Sequence, residues 1–307
     1  MKIDRELLTK FDAHLNPQRP ELSPIQATVV GYGEISSIFQ INSDPTRVYK
    51  RLPLFASIPA AQAYEKQYHE YCGLLAQAGL TLPDHGTLVV ANSDRPVTVY
   101  IAQNQLAKND FGHNRIHHTQ ENQAVTLIEQ IVTEIDKVWV FNSSAGPSLK
   151  LALDGQLSNW VRPGADEHQP LVYIDTSTPL FRKDGVEQLD PELFLKSAPG
   201  FLRWILRLFF VQDVINRYYD QRMVYMDVAA NLYKEQRPDL IPATLEVINS
   251  QLRSNHRPLT IEAVSKYYRE DKLIWTLFLM FRRLDRWLTT HIFRKRYEYI
   301  LPGRIKR

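Results

Sequence analysis

Five short patterns in this chain hold residues suited to phosphates, metal ions and proton transfer. Gly31-Tyr32-Gly33-Glu34-Ile35-Ser36 separates two runs of strand-forming residues. Glycines allow a tight turn and let backbone N–H groups approach an anion. The turn opens no helix, which argues against a Rossmann turn and a Walker loop. Taken alone it reads as a hairpin. Lys50 ends Arg47-Val48-Tyr49-Lys50 among Leu52 and Leu54. Facing inward it would serve phosphates as a compact cation; facing outward it is an ordinary strand-end lysine. Glu70, with Glu65 as a rival, lies on the following helical stretch, where a carboxylate would fix Lys50 in place or simply be solvated.

Asp154-Gly155-Gln156-Leu157-Ser158-Asn159 follows the apolar run Leu149 to Leu153. An aspartate there suits deprotonation of a hydroxyl, and an asparagine oxygen suits a divalent cation. The pattern also fits a turn. Leu171-Val172-Tyr173-Ile174 ends in Asp175. A carboxylate at the end of a buried strand is costly unless a cation or strong hydrogen bonds offset it, and magnesium, which prefers oxygen ligands, would do so. The plainer reading is a capped turn.

These residues need elements to hold them. Strand patterns cover 27–30, 35–41 and 47–52, and apolar spacing predicts a helix over 59–78, stopped by Gly79. A strand pair follows at 87–91 and 97–102, joined by Asn92 to Pro96. The polar stretch 103–118 reads as a connection, and 119–140 as a long helix. Short strands begin at 149, 160 and 171. Beyond Pro191 the pattern is helical, at about 192–197, 200–235, 239–254, 260–269 and 271–293. The expected architecture is α+β and bilobal, with a β-rich N-lobe over 1–103 and a helical C-lobe over 104–307.

Composition narrows the function classes. A chain of 307 residues with 44% hydrophobic content can bury a large core, and 23% charged residues argue against global disorder. A net charge of +3 is no signal for nucleic acid. The basic end, with Arg294, Lys295, Arg296, Arg304, Lys306 and Arg307, reads as a solvated tail, with a membrane surface or a partner as the alternative. The single cysteine, Cys72, allows no internal disulfide, and its apolar helical setting marks it as core. The polar Met1 to Pro20 shows no signal peptide, and Phe201 to Ile215 is too charged to span a bilayer. The expected location is cytoplasmic.

In this order (Gly-rich turn, strand lysine, helix glutamate, long helix, D-x-x-x-x-N, strand-end aspartate) the chain resembles the protein-kinase-like superfamily. It is nearer the small-molecule branch, the aminoglycoside phosphotransferase and choline kinase type, over about residues 25 to 235. The resemblance implies ATP and Mg2+ as cofactors. Gly31, Gly33 and Ser36 would cover the phosphates, and Lys50, tethered by Glu70, would hold the α- and β-phosphates. Tyr100 to Gln103 would be the hinge that meets adenine, Asp154 the catalytic base, and Asn159 and Asp175 the metal ligands.

Three departures stand out. Ser36 replaces a third glycine, Ala152 replaces the histidine that braces the catalytic loop, and Asp175-Thr176-Ser177 replaces aspartate-phenylalanine-glycine. No Ala-Pro-Glu-like segment follows, which speaks against a protein kinase. The first expectation is phosphoryl transfer from magnesium-ATP to a small-molecule hydroxyl. The alternative is a pseudokinase that binds or scaffolds without turnover, and a helical interaction protein with a small β cap is the third class. The aromatic face Trp204, Phe209, Phe210, Tyr218 and Tyr219 reads as core. Arg182, Lys183, Asp184, Glu187, Asp190 and Glu192 leave the charge of the acceptor open.

Overall fold

Strand-forming residues of the first hundred positions build a five-stranded antiparallel sheet. Its strands are β1 (Ala27–Tyr32), β2 (Ser37–Ile41), β3 (Asp44–Phe55), β4 (His85–Val90) and β5 (Val97–Asn104), in the order β1-β2-β3-β5-β4. The computed structural model describes residues 1–33, 35–166, 168–190, 192–193, 200, 203, 211–253 and 256–303. A helix, α2 (Ile58–Gln77), crosses between β3 and β4. Ser57 caps it by accepting from the Ala60 N–H, and Gly79, at φ +89°, ends it in a conformation that favours glycine.

Alternation along β3 sends side chains to two covered faces up to Leu52, beyond which the pairing with β5 shifts register. Lys50, Leu52 and Leu54 point toward α2, packing with Tyr64, Tyr68 and Cys72. Tyr49 and Arg51 point the other way, toward a helix the sequence pattern did not predict, α1 (Arg5–His14). On that face Arg51 is buried between Asp12 of α1 (2.7 Å) and Glu298 of the C-terminal segment (2.9 Å). Both ends of the chain are thereby tied to the middle strand of the sheet.

The rest is largely helical. It contains α3 (Gly112–His118), α4 (Glu121–Ala145), α5 (Val211–Tyr218), α6 (Gln221–Lys234), α7 (Ile241–Gln251) and α8 (Ile261–Trp287). Ile128, Ile131, Val132, Ile135 and Val138 form the buried stripe of α4, the periodicity on which its prediction rested. Short strands β6 (Leu149–Leu151), β7 (Trp160–Val161), β8 (Val172–Tyr173), β9 (Phe181–Lys183) and β10 (Val186–Glu187) pair as β10-β9-β6 and β7-β8 at the junction of the two parts. The α+β arrangement, a sheet part followed by a helical part, is therefore the observed one.

Several boundaries differ from expectation. The helices expected at 260–269 and 271–293 are one helix, α8, because no Gly or Pro interrupts residues 261–287. The helix expected over 200–235 breaks at Asp220, whose carboxylate accepts from the Met223 N–H and starts α6 afresh. β2 starts at Ser37, with Ile35 buried in the preceding turn. Most of the residues assigned to helix over 192–197 and 200–210, Trp204, Phe209 and Phe210 of the aromatic face, and the tail cations Arg304, Lys306 and Arg307 lie outside the described residues.

Candidate functional site

The turn after β1 and the loop after β6 face each other across a cavity of about 440 Å³. Gly33 and Ser36 line it from the sheet, and Asp154, Asn159 and Asp175 from the helical side. The Gly33 N–H donates to the Ser36 carbonyl at 2.9 Å, closing the turn. A side chain at Gly33 would place Cβ 2.6 Å from Ser36 Oγ, so the Ser36 hydroxyl would have to turn away. Gly31 is not on the cavity wall; it is paired inside the ladder opposite Ile38.

Asp154 sits in a loop shaped from below by α6. A Cβ on Gly155 would lie 2.7 Å from Val224 and 3.1 Å from Ile135, so the glycine lets the loop lie against both helices. The Asp154 carboxylate accepts from the Gln156 N–H at 3.0 Å and from Gln156 Nε2 at 3.2 Å. Burial pushes its pKa up to about 7, with the Asp227 and Asp175 charges adding to the rise and the Gln156 N–H and Lys234 opposing it. A carboxylate so poised can take a proton near neutral pH.

The loop lacks the bracing histidine but is held in other ways. Tyr71 of α2 donates its hydroxyl to the Ala152 carbonyl at 2.8 Å. The Asp154 N–H donates to the Tyr173 hydroxyl at 3.2 Å. Asn159 Nδ2 donates to the Asp154 carbonyl at 3.2 Å, which turns the amide oxygen into the end available to a cation.

Lys50 is buried and its ammonium donates to the Ile174 carbonyl at 2.8 Å, 3.8 Å from Asp175 Oδ1. Burial lowers its pKa, and Asp175 partly opposes the shift. Ser177 Oγ donates to the same Asp175 oxygen at 3.1 Å. Thr176, standing where the resemblance puts phenylalanine, is fully buried and bonded by Gln103 Nε2 at 3.1 Å. Asp154, Asn159 and Asp175 thus line one cavity, and Lys50, more than a hundred positions earlier in sequence, stands against Asp175 behind its wall.

Two expectations are corrected. The Lys50–Glu70 pair does not form: Glu70 bonds Lys183 at 2.5 Å. The inward positions of α2 are taken by Tyr64, Tyr68, Tyr71 and Cys72, which turns Glu70 toward β9. The hinge does not lie at Tyr100 to Gln103. Those residues pair with β3 on one side and β4 on the other, so their backbone groups are spent in the sheet. Gln103 instead uses its buried side chain to hold the Ile174 carbonyl at 3.1 Å. The chain leaves the sheet after Asn104, and the crossing segment is 105–111.

Other charged candidates are accounted for elsewhere. Arg182 pairs with Glu187 at 3.1 Å and lies over the Tyr219 ring. Cys72 is buried, and burial pushes its thiol up to about 11, so it is core and not a nucleophile.

The sequence reading missed the contribution of α6. Asn231 accepts from the Leu157 N–H at 3.3 Å, Lys234 donates to Gln156 Oε1 at 3.1 Å, and Asp227 accepts from the Tyr267 hydroxyl at 2.8 Å. Their signal was present: polar residues at 227, 231 and 234 recur with helical spacing among the apolar residues that follow Arg222.

Residues 26–286 match the sequence model of a family described as "Family of unknown function (DUF6206)". The chain belongs to that family. The matched range takes in every candidate site residue, while α1 and the segment around Glu298 that cover the outer face of the sheet fall outside it. Comparison with curated proteins finds no match. Among solved structures, the GDP complex of wild-type aminoglycoside 2'-phosphotransferase-IIIa is 14% identical, over 80% of this chain and 98% of that one, with a TM-score of 0.38. WaaP in complex with acyl carrier protein is 13% identical, over 74% and 90%, at 0.34. WbdD is 13% identical, over 80% and 51%, at 0.33.

Proposed function

We propose that this protein is a phosphotransferase that moves the γ-phosphoryl group of ATP to the hydroxyl of a small molecule, with Asp154 as the base. The observation that carries the reading is the convergence of Asp154, Asn159 and Asp175 on one cavity beneath the Gly33–Ser36 turn, with Lys50 against Asp175. Among the described residues no cluster of three metal-binding side chains exists. The Asp175 carboxylate and Asn159 amide oxygen nevertheless fit magnesium, a hard ion that takes one or two protein oxygens and completes its shell with phosphates and water. Bound there, magnesium would offset phosphate charge.

The residues of the chain then divide the work. Lys50 supplies a fixed cation beside Asp175, and the Gly33–Ser36 turn would lie over the phosphate chain. Asp154 receives the hydrogen bond of the acceptor hydroxyl. As the acceptor oxygen bonds to the γ-phosphorus and the bond to the β–γ bridging oxygen breaks, the hydroxyl proton passes to Asp154. Positioning and charge supply most of the rate in such a site.

A pseudokinase of the same fold is the second reading, favoured by one observation. The Lys50 ammonium is bonded to the Ile174 carbonyl and has no helix glutamate to hold it toward a nucleotide.

Melting with magnesium and ATP, with GTP run in parallel, tests both readings. A rise that is lost in Asp175→Ala and kept in Asp154→Ala, with ADP formed over a panel of hydroxyl acceptors only by the parent, supports the transferase. A rise without ADP over the panel favours the pseudokinase. No rise with either nucleotide sinks both.

A further inference from the structure

One face of α8 contributes Trp275, Leu279 and Arg282 to the cavity wall, while another lies open to solvent and is apolar. Leu273, Leu277, Met280, Leu284 and Trp287 recur every three or four residues and are 60%, 41%, 51%, 43% and 50% exposed. Such spacing keeps them on one side of the helix. The stripe continues past the helix into Ile292 and Phe293, 57% and 63% exposed. A contiguous apolar strip of this kind marks a surface that something covers.

The charge around the strip says what. Residues 270–298 carry seven Lys and Arg and four acids, Glu270, Asp271, Asp285 and Glu298, an excess of three positive charges, as large as that of the whole chain. Arg282 is buried and Arg296 bonds Glu298 at 2.5 Å, whereas Lys272, Arg283, Arg294 and Lys295 are exposed. Lys272, Arg283 and Arg286 each precede a stripe residue by one position, so they form one edge of the strip. An apolar face with a cationic border and an interfacial tryptophan complements an anionic lipid surface. A second copy of the chain would set the exposed Lys272, Arg283, Arg294 and Lys295 near their own counterparts across the seam. No described helix is long and apolar enough to cross a membrane, so the contact is one of lying on the surface.

We propose that α8 docks this protein on anionic bilayers through the Leu273-to-Trp287 stripe and its cationic edge. The inference is independent of the phosphotransfer reading, since it concerns a different face of the helix. Docking in this pose sets the cavity, which shares α8, beside the lipid surface.

Vesicle flotation tests it, with phosphatidylglycerol mixed into phosphatidylcholine against phosphatidylcholine alone. The protein should float with the anionic vesicles only, and high salt should release it. Leu277→Glu with Trp287→Glu, and separately Lys272→Glu with Lys295→Glu, should each weaken the binding by roughly tenfold or more, the first pair because it removes apolar area from the contact, the second because each basic residue near the surface is worth about 1 kcal/mol. Because these side chains are exposed, the melting temperature should not change, which separates lost docking from lost folding. Four results overturn the proposal: no flotation, equal flotation with both vesicles, variants that bind like the parent, or sedimentation showing a dimer that the Leu277→Glu, Trp287→Glu variant abolishes without any lipid binding.

Discussion

Asp175 holds its carboxylate 3.8 Å from the Lys50 ammonium, and it does so with no helix glutamate involved. The lysine is positioned by the carbonyl of the neighbouring Ile174, so the strand end that carries the acid also places the cation. Lys50→Met should therefore weaken nucleotide binding by about tenfold to a hundredfold, the worth of one hydrogen bond to a charged group. Glu70→Ala should leave it unchanged, which isothermal titration of both variants with magnesium and ATP would check. Equal losses in the two variants would restore the Lys50–Glu70 pair.

Tyr71 takes over a bracing task at Ala152. Tyr71→Phe removes only the hydroxyl that bonds the Ala152 carbonyl, a buried acceptor. The expected cost is about 1–3 kcal/mol, read as a lower denaturation midpoint. If the loop after Ala152 is the catalytic one, the rate falls while nucleotide affinity stays as in the parent.

The Arg51–Asp12 pair gives a stability signature in acid. Burial alone would raise the Asp12 pKa, but the Arg51 charge and the bonds from Arg51, Tyr100 and Asn92 outweigh it and hold the carboxyl below the usual range. A depressed folded pKa contributes stability above the unfolded value near 4, and that stability is lost as pH falls through the folded one. Asp12→Asn should cost about 3 kcal/mol at pH 7, since it leaves half of a buried pair. The gap to the parent should narrow below about pH 4, a convergence visible in urea melts across pH.

Asp227 carries the opposite sign. Burial, with Asp271 adding to it, pushes its pKa up to about 7 against the Tyr267 hydroxyl, Arg217 and Lys234. A raised carboxylate binds more protons when folded, so stability falls as pH rises from about 4 to 7 and then levels off. Asp227→Asn, which keeps an acceptor for Tyr267, should be roughly 1–3 kcal/mol more stable than the parent at pH 8 and gain little at pH 4. Thermal melts at the two pH values that show the same gain would refute it.

Gly155→Ala should lower the melting temperature and turnover together. The added methyl meets Val224 at 2.7 Å and pushes the Asp154 loop off α6. Turnover that survives a clear stability loss would mean the loop relaxes without moving its carboxylate.

Much of this protein is legible in one dimension. Runs of strand-forming residues mark the strands of the sheet, of which β3 and β5 are buried on both faces over most of their length, and period-3.6 patterns mark α2 and α4, where burying one face constrains the helix's own residues. The order of Gly33, Lys50, Asp154, Asn159 and Asp175 is equally readable, although Lys50, expected at a strand end, stands in the middle of β3, which runs on to Phe55. What the chain order does not carry is which residue meets which. Glu70 satisfies every local condition for pairing Lys50, yet a rotation of one residue along α2 gives the inward position to Tyr71 and sends Glu70 to Lys183. Arg51 looks like a surface cation until the two chain ends, Asp12 and Glu298, close over it. Asp227, Asn231 and Lys234 acquire meaning only where α6 packs under the Asp154 loop. Local periodicity encodes burial, whereas partner choice and the Asp154 pKa depend on desolvation and on charges from distant elements, and those exist only once the lobes have packed.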